Sequence, residues 1–133
     1  MKSAVLDSNI FISAFLFNGK QRKILEKALS GNFRIYSSEP IISEIRAVLE
    51  RPKFKLSAEQ IKMILSEIEF VCELVYPSKI AQNICRDRDD HIILECAIEA
   101  KADYIITGDE DLLCLNPYQG IQIINSGKFL DLL

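Results

Sequence analysis

Hydrophobic residues follow two different spacings along the chain, and these spacings predict strands and helices in alternation. The short apolar runs KSAVL, FRIYSS, CELVYP, DYIITGD and IQIIN have the length and composition of strands. Between them, helical spacing is found in Gln21 to Leu29, in SSEPIISEIRAVLERP, in AEQIKMILSEIEFVCE and from Asp89 or Asp90 to Lys101, and a short helix ends the chain. Strands that alternate with helices predict an α/β protein with a central parallel sheet flanked by helices.

The limits of two helices can also be predicted from the sequence. Pro40 fits the first turn of one helix and Pro52 ends it. Ser57 and Gln60 form a capping box that begins the next helix. No internal repeat, linker or low-complexity segment interrupts the 133 residues, so we expect a single domain over residues 1–133.

The composition is typical of an ordinary soluble globular protein. Hydrophobic residues make up 49% of the sequence and charged residues 26%. No apolar run reaches the roughly 18 residues that would span a bilayer, and the N-terminus lacks the pattern of a signal peptide. We therefore expect a cytoplasmic protein without a membrane partner.

The four cysteines form neither a CxxC pair nor the closely spaced set of a zinc site. Three of them lie in segments that the pattern assigns to the core. We therefore expect buried free thiols at Cys72, Cys85, Cys96 and Cys114.

The net charge of −3 is distributed unevenly along the chain. Residues Met1 to Ser66 contain 11 Lys and Arg against 6 Asp and Glu, a net charge of +5, whereas Glu67 to Leu133 contain 5 against 13, a net charge of −8. Two solvated faces would explain this polarity. An anionic pocket beside a basic surface would explain it equally well, and a metal-dependent enzyme acting on a phosphate polymer needs that arrangement.

Acidic residues follow two of the predicted strands at the points where the strands end. Asp7 closes the first strand and Asp109 closes the strand DYIITGD, with Asp111 two residues further on. Ligands of an open parallel sheet bind beyond the carboxyl ends of its strands. We therefore expect Asp7 and Asp109 to project to that edge.

Two helices are predicted to contribute one further acid each. At about 100° per residue, Asp90 falls on the apolar face of its helix, whereas Asp89 is turned away from that face. Asp90 is therefore predicted to be the interior acid, and Asp87 and Asp89 to be solvated or capping. In the earlier helix, Glu44 lies roughly 40° outside the apolar stripe, so we expect it to border the core.

Each of these acids also has a simple structural explanation, such as a helix cap, a turn residue or a surface charge. Four carboxylates at one sheet edge repel one another, however, and are tolerable only when cations neutralise them. Oxygen ligands without His or Cys favour a hard cation such as Mg²⁺ or Mn²⁺. Sites of this kind typically hydrolyse phosphodiesters, because the ion neutralises charge at the scissile phosphate and lowers the pKa of a bound water.

Several segments of this sequence together resemble a PIN domain. They are VLDSNIFISA with Asp7 and Asn9, the helix that carries Glu44, the segment RDRDDHIILECAIEAKADYIITGDEDLL, and the closing IQIINSGKFL. The similarity covers essentially the whole chain. Single-domain PIN proteins of this size resemble the toxin component of prokaryotic toxin–antitoxin pairs.

The resemblance implies a three-layer fold with a central parallel sheet and an Mg²⁺- or Mn²⁺-dependent ribonuclease, commonly dimeric and inhibited by a cognate protein antitoxin. The four acidic positions of the family, with catalytic and metal-binding roles, are matched by Asp7, Glu44, Asp90 and Asp109. Asn9 and Thr107 match the polar residues that orient the acids. The final motif aligns through either Asp109 or Asp111, so Asp111 is a further candidate ligand.

Basic residues in the first half of the chain are the candidate contacts for an RNA substrate. The first basic cluster consists of Lys20, Arg22, Lys23 and Lys27, and the second basic cluster of Arg51, Lys53 and Lys55. Because four carboxylates repel a polyanion, cations and a flanking basic surface must together reverse the local potential. Surface solubility is the alternative explanation, above all for the second basic cluster.

Two other functions are consistent with parts of this pattern. A phosphatase of the haloacid dehalogenase type also uses an Asp after the first strand, but it needs a second Asp where this chain has Asn9 and another acid where it has Leu113. The non-enzymatic alternative is a module that keeps the PIN fold and acts only through RNA or protein contacts. Degenerate members of that kind lose acids, whereas all four acids are present here, which favours catalysis.

Overall fold

The computed structural model describes residues 1–78 and 88–133, and only the backbone of residue 88. Its strands are β1 (Ser3–Leu6), β2 (Arg34–Ser38), β3 (Cys72–Val75), β4 (Tyr104–Ile106) and β5 (Gln122–Ile124). Its helices are α1 (Ser8–Leu16), α2 (Lys20–Leu29), α3 (Glu39–Leu49), α4 (Ala58–Val71), α5 (Arg88–Ala100), α6 (Glu110–Leu113) and α7 (Ser126–Asp131), and a 3-10 turn (Pro52–Phe54) joins α3 to α4. The predictions for Cys85 and Asp87 concern positions outside the described residues.

The strands of the described chain form one parallel sheet in the order β3-β2-β1-β4-β5. The chain builds outward from β1 to β3 and then returns to place β4 on the other side of β1. The strand order therefore reverses between β1 and β4, and the carboxyl ends of these two strands form the switch point at which open α/β sheets bind ligands. The predicted α/β fold, with a central parallel sheet flanked by helices, is confirmed.

The register of β1 and β4 sets which residues meet at the switch point. Leu6 pairs with Ile106, the last residue of β4. The backbone N–H of Asp7 then donates to the carbonyl oxygen of Ile106 over 3.0 Å. Asp7 and Thr107, the first residues beyond the two strands, consequently lie side by side.

The sequence pattern does not predict α1 or α6. The segment SNIFISAFL of α1 is almost uniformly apolar, and Ile10, Phe11, Ile12 and Ala14 are all buried. A helix that is buried on most of its surface has no polar face, so its sequence lacks the 3.6-residue period. In contrast, α4 begins at the predicted capping box, in which Ser57 and Gln60 exchange backbone-to-side-chain hydrogen bonds.

The described cysteines are free thiols, but they differ in burial. Cys72 and Cys96 are buried as predicted, and burial raises the pKa of the Cys96 thiol to about 12. The prediction is wrong for Cys114, which is exposed at the C-terminal end of α6, a helix of four residues in which only Leu112 is buried. Within the described residues, no helix is long and apolar enough to cross a membrane.

Candidate functional site

Three carboxylates converge beside the switch point. Asp90, Asp109 and Asp111 each offer one oxygen, and these oxygens lie within 4.8 Å of one another. Asp90 stands in the first turn of α5 and is only 4% exposed, whereas its neighbour Asp89 is exposed. Asp109 is half-buried and Asp111 is exposed, so the group opens to solvent on one side. The three side chains can therefore act as ligands of one cation that enters from solvent.

The turn after β4 brings Asp109 and Asp111 together. Asp109 caps α6, and its Oδ1 accepts a hydrogen bond of 2.9 Å from the backbone N–H of Asp111. This turn keeps both carboxylates on the side of Asp90. The two alternative alignments of the final motif therefore point to carboxylates of the same group.

Thr107 links the two acids that follow β1 and β4. Its hydroxyl donates to Asp7 Oδ2 over 2.7 Å and accepts from the backbone N–H of Asp109 over 3.0 Å. Thr107 is completely buried, so its hydroxyl is shielded from water. Burial raises the pKa of Asp7 and the charge of Asp109 raises it further, whereas the hydrogen bond from Thr107 lowers it.

Glu44 approaches the site from α3 and is half-buried. Ser8 Oγ donates a hydrogen bond of 3.2 Å to Glu44 Oε2. Burial raises the pKa of Glu44 to about 7, with further contributions from a hydrogen bond and charge repulsion by Asp89 and from the charge of Asp7, while Ser8 opposes the rise. Asp89, predicted to be solvated or capping, is exposed and also interacts with Glu44.

The acids form one electrostatically connected set along the sheet edge. The charges of Asp89 and Asp7 raise the pKa of Glu44. The charge of Asp109, a member of the three-carboxylate group, raises the pKa of Asp7. The raised pKa values of Glu44 and Asp7 include the effect of this mutual repulsion. A divalent cation would relieve the repulsion, and the oxygen donors match the ligands that hard cations prefer. The residues present therefore fit a divalent metal centre.

The polar neighbours of the acids differ in part from the predicted ones. Thr107 contacts Asp7 directly, whereas Asn9 is exposed and its backbone N–H, together with that of Ser8, lowers the pKa of Asp7. Sequence reasoning missed the side chain of Ser8, which is buried and bonded to Glu44. A hydroxyl directly after a strand-end acid was the available signal, but it does not reveal a partner 36 positions further along the chain.

The first basic cluster begins at the same edge of the sheet as the acids. A Cβ added at Gly127, in the first turn of α7 after β5, would stand only 3.2 Å from Lys20 Nζ. From there α2 runs toward the opposite edge of the sheet, formed by the amino ends of the strands, where Arg34 of β2 pairs with Ser3 of β1. Lys20 is thus closer to the carboxyl edge than Lys27, seven residues further along the helix.

Arg22 is partly engaged by its neighbours. Its guanidinium donates to the carbonyl oxygen of Ala14 over 3.3 Å and lies 4.0 Å from the Glu26 carboxylate. Its side chain is still 42% exposed, so part of it remains open to solvent. Within the first basic cluster, Lys20, Lys23 and Lys27 are the exposed residues.

The second basic cluster lies away from the acids. α3 starts at the carboxyl end of β2 and carries the chain along its 11 residues, or about 16 Å, before Arg51 is reached. Arg51, Lys53 and Lys55 are all exposed, and Lys53 Nζ stands 5.0 Å from the centre of the Phe54 ring. The structure therefore does not bring this cluster together with the four predicted acids.

Comparison with known proteins assigns this arrangement to a family. A family model described as PIN domain matches residues 3–111, a range that contains all the acids described above. The chain belongs to the PIN domain family. This PIN domain is 36% identical over 115 residues to the uncharacterized protein MJ1680 of Methanocaldococcus jannaschii, across 84% of this chain and 73% of that protein.

Two solved structures share the fold of this PIN domain at low sequence identity. One is VapBC2 from Rickettsia felis, bound to a DNA fragment from their promoter, with a TM-score of 0.63, 18% identity, and coverage of 92% of this chain and 98% of that chain. The other is PAE2754 from Pyrobaculum aerophilum, with a TM-score of 0.55, 18% identity, and coverage of 98% and 95%. Both similarities concern the fold.

Proposed function

We propose that this PIN-domain protein is an endoribonuclease that hydrolyses RNA phosphodiesters with Mg²⁺ or Mn²⁺. The observation that carries the proposal is the group of Asp90, Asp109 and Asp111, whose oxygens lie within 4.8 Å of one another beside the switch point. Asp7 and Glu44 are two further acids beside this group, because the charge of Asp109 acts on Asp7 and the charge of Asp7 acts on Glu44. An all-oxygen site of this charge suits a hard divalent cation and the chemistry of phosphate esters.

In this proposal the acids hold the cation and their neighbours fix the acids. Asp90, Asp109 and Asp111 are the ligands, with Asp7 and Glu44 as additional candidates beside them. When bound, the cation supplies positive charge at the scissile phosphate and lowers the pKa of a bound water. Thr107 favours the ionised form of Asp7, and Ser8 does the same for Glu44. These hydrogen bonds orient the carboxylates before substrate binds, so that little reorganisation is needed during reaction.

The basic residues of the first half are proposed to hold the RNA. Lys20 is the nearest of them to the carboxyl edge of the sheet, and Arg22, Lys23 and Lys27 continue along α2. Such contacts give affinity without base specificity. The second basic cluster, at the far end of α3, would meet only the more distant part of a long RNA.

We further propose that the protein is the cytoplasmic toxin of a toxin–antitoxin pair, acting as a homodimer that a protein antitoxin inhibits. The resemblance of the whole chain to single-domain toxins of the PIN family supports this role, with residues 1–133 as one domain. The fold likeness to VapBC2 is consistent with it.

The ribonuclease proposal is tested by incubating the purified protein with structured and single-stranded RNA, with and without Mg²⁺ or Mn²⁺. We expect cleavage that stops in EDTA and is abolished by Asp90→Asn and by Asp109→Asn. Glu110→Gln is the matched control, because it removes an exposed charge next to Asp109 without touching the three-carboxylate group. Cleavage that persists in EDTA, or equal loss in all three variants, would contradict the proposal.

The toxin proposal is tested by expressing the protein alone in a bacterial host. We expect growth arrest that Asp90→Asn relieves at equal protein levels, and light scattering should give the mass of a dimer. Unimpaired growth with active, soluble protein would remove the toxin role while leaving the ribonuclease proposal intact.

A further inference from the structure

A cleft of about 460 Å³ opens beside the acidic set, between the N-terminal turns of α3 and α5. It is lined by Glu39, Pro40, Ser43 and Glu44 of α3 and by Asp89 and Ile92 of α5. Asp89, which lines the cleft, directly precedes Asp90 of the three-carboxylate group, and Glu44 of the acidic set lines the cleft itself. A nucleotide whose phosphate lies at the acids therefore has an adjacent base within reach of the cleft.

The lining of the cleft combines apolar surface with hydrogen-bond acceptors. Pro40 and Ile92 offer aliphatic surface against which the flat face of a base can pack. Carboxylates accept hydrogen bonds and cannot donate them while ionised. Glu39 stands in the first turn of α3. Three acids, Glu39, Glu44 and Asp89, line the cleft, so these side chains repel a phosphate and attract a group that carries N–H donors.

We propose that this cleft binds a guanine base of the RNA substrate next to the scissile phosphate, an inference that rests on the proposed ribonuclease function. Guanine presents two adjacent N–H donors, at N1 and N2 of its Watson–Crick edge, which one carboxylate can accept in a bidentate pair. Adenine and cytosine place an acceptor beside their amino group, and uracil places two carbonyl oxygens beside its single N–H. A cleft with an acceptor-rich rim therefore discriminates among the four bases.

Glu39 is the carboxylate to which we assign this discrimination. Among the acids that line the cleft, Glu44 and Asp89 interact with each other through a hydrogen bond. Glu39 is exposed at the rim, five residues before Glu44 and on an adjoining turn of α3.

A larger groove of about 610 Å³ lies between α3 and α4. Its lining, which includes Arg46 and Glu69, contains none of the acids of the site.

The experiment compares base preference in the wild type, Glu39→Gln and Glu59→Gln. Glu59 is a matched control, since it is also an exposed first-turn acid but belongs to α4. A randomised RNA pool first gives the position of guanine relative to the cut. Kinetics then follow on matched oligonucleotides that carry guanine, inosine, adenine, cytosine or uracil at that position.

We expect the wild type to cleave guanine substrates with a kcat/KM about fivefold or more above that of the other bases, the lower end of the range for a bidentate pair. Inosine lacks the N2 amino group and should lose most of this preference. Glu39→Gln should bring guanine to the level of the other bases, because its amide replaces one acceptor by a donor. Glu59→Gln should keep the preference.

Two outcomes would overturn the inference. The wild type could show no preference for guanine, or Glu39→Gln could retain that preference. If Glu39→Gln retains the preference and also weakens Mn²⁺ binding, the cleft is part of the cation site instead. A wild type that cleaves no RNA would refute the ribonuclease proposal separately.

A binding measurement then tests whether the cleft recognises guanine, without requiring cleavage of the RNA. Fluorescence anisotropy with Ca²⁺ in place of Mg²⁺ compares labelled oligouridine that contains one guanine with the same RNA that contains one adenine. If the wild type binds the guanine RNA more tightly than the adenine RNA, and Glu39→Gln abolishes this difference, the result supports the cleft as a guanine site. Equal binding of the two RNAs by the wild type overturns it.

Discussion

The metal-free protein should lose stability as the pH rises through neutrality, and Glu44→Gln should remove most of that loss. Burial, Asp89 and Asp7 raise the pKa of Glu44 from its usual 4.5 to about 7. A carboxyl with a raised pKa is harder to ionise in the folded protein than in the unfolded chain. The destabilisation is therefore absent below about pH 4.5, where Glu44 is protonated in both states, grows between 4.5 and 7, and is complete above 7.

The magnitude follows from the difference between the two pKa values. A rise from 4.5 to about 7 corresponds to roughly 3 kcal/mol at 1.36 kcal/mol per pKa unit. Because Glu44 is only half-buried, solvent screening reduces the expected effect to about 1–2 kcal/mol. For a domain of this size such a change shifts the Tm by about 3–10 °C. Asp7, whose pKa is also raised, adds an effect of the same sign.

The assay is thermal unfolding by circular dichroism in EDTA at about pH 5, 6, 7 and 8. Glu50→Gln serves as the matched control, because Glu50 is an exposed acid at the C-terminal end of the same helix. The wild type and Glu50→Gln should show a lower Tm at pH 8 than at pH 5. Glu44→Gln should show a flatter profile and exceed the wild type at pH 8. A wild type that is more stable at pH 8, or a Glu44→Gln profile parallel to that of the wild type, would refute the assigned electrostatics of Glu44.

Two further perturbations test the positioning of Asp7 and of the RNA. Thr107→Val removes the hydrogen bond that Asp7 accepts, so the acid limb of the pH–rate profile should move to higher pH and the free energy of unfolding should fall by about 2 kcal/mol. Thr107→Ser keeps the hydroxyl and should leave the acid limb in place. An acid limb at the same pH in both variants would contradict this role of Thr107. Lys20→Glu should weaken RNA binding in Ca²⁺ and lower the salt slope by at least about 0.7, the value for one phosphate contact on a single strand. Lys53→Glu should have a smaller effect, and an unchanged slope in Lys20→Glu would move the RNA path elsewhere.

Local sequence patterns predicted most of the fold. Strand and helix periods, the proline at the start of α3 and the capping box of α4 act within a few residues, so they can be read without knowing the neighbours of each element. The same locality explains the omission of α1, whose apolar sequence reflects burial by distant parts of the chain. The exposure of Cys114 was likewise decided by which elements cover α6, and no local pattern records that.

The sequence by itself placed Asp7 and Asp109 at strand ends and Asp90 on the inner face of a helix, because these positions depend on local geometry alone. Only the tertiary structure decided which side chains meet. The contact between Thr107 and Asp7 joins residues 100 positions apart, and its hydrogen bond exists because β4 pairs with β1 in a particular register. The approach of Asp89 to Glu44 similarly depends on how α5 packs beside α3. Hydrogen bonds and charge coupling act over a few ångströms in space, whereas sequence periodicity gives direction within an element and carries no information on the distance between elements.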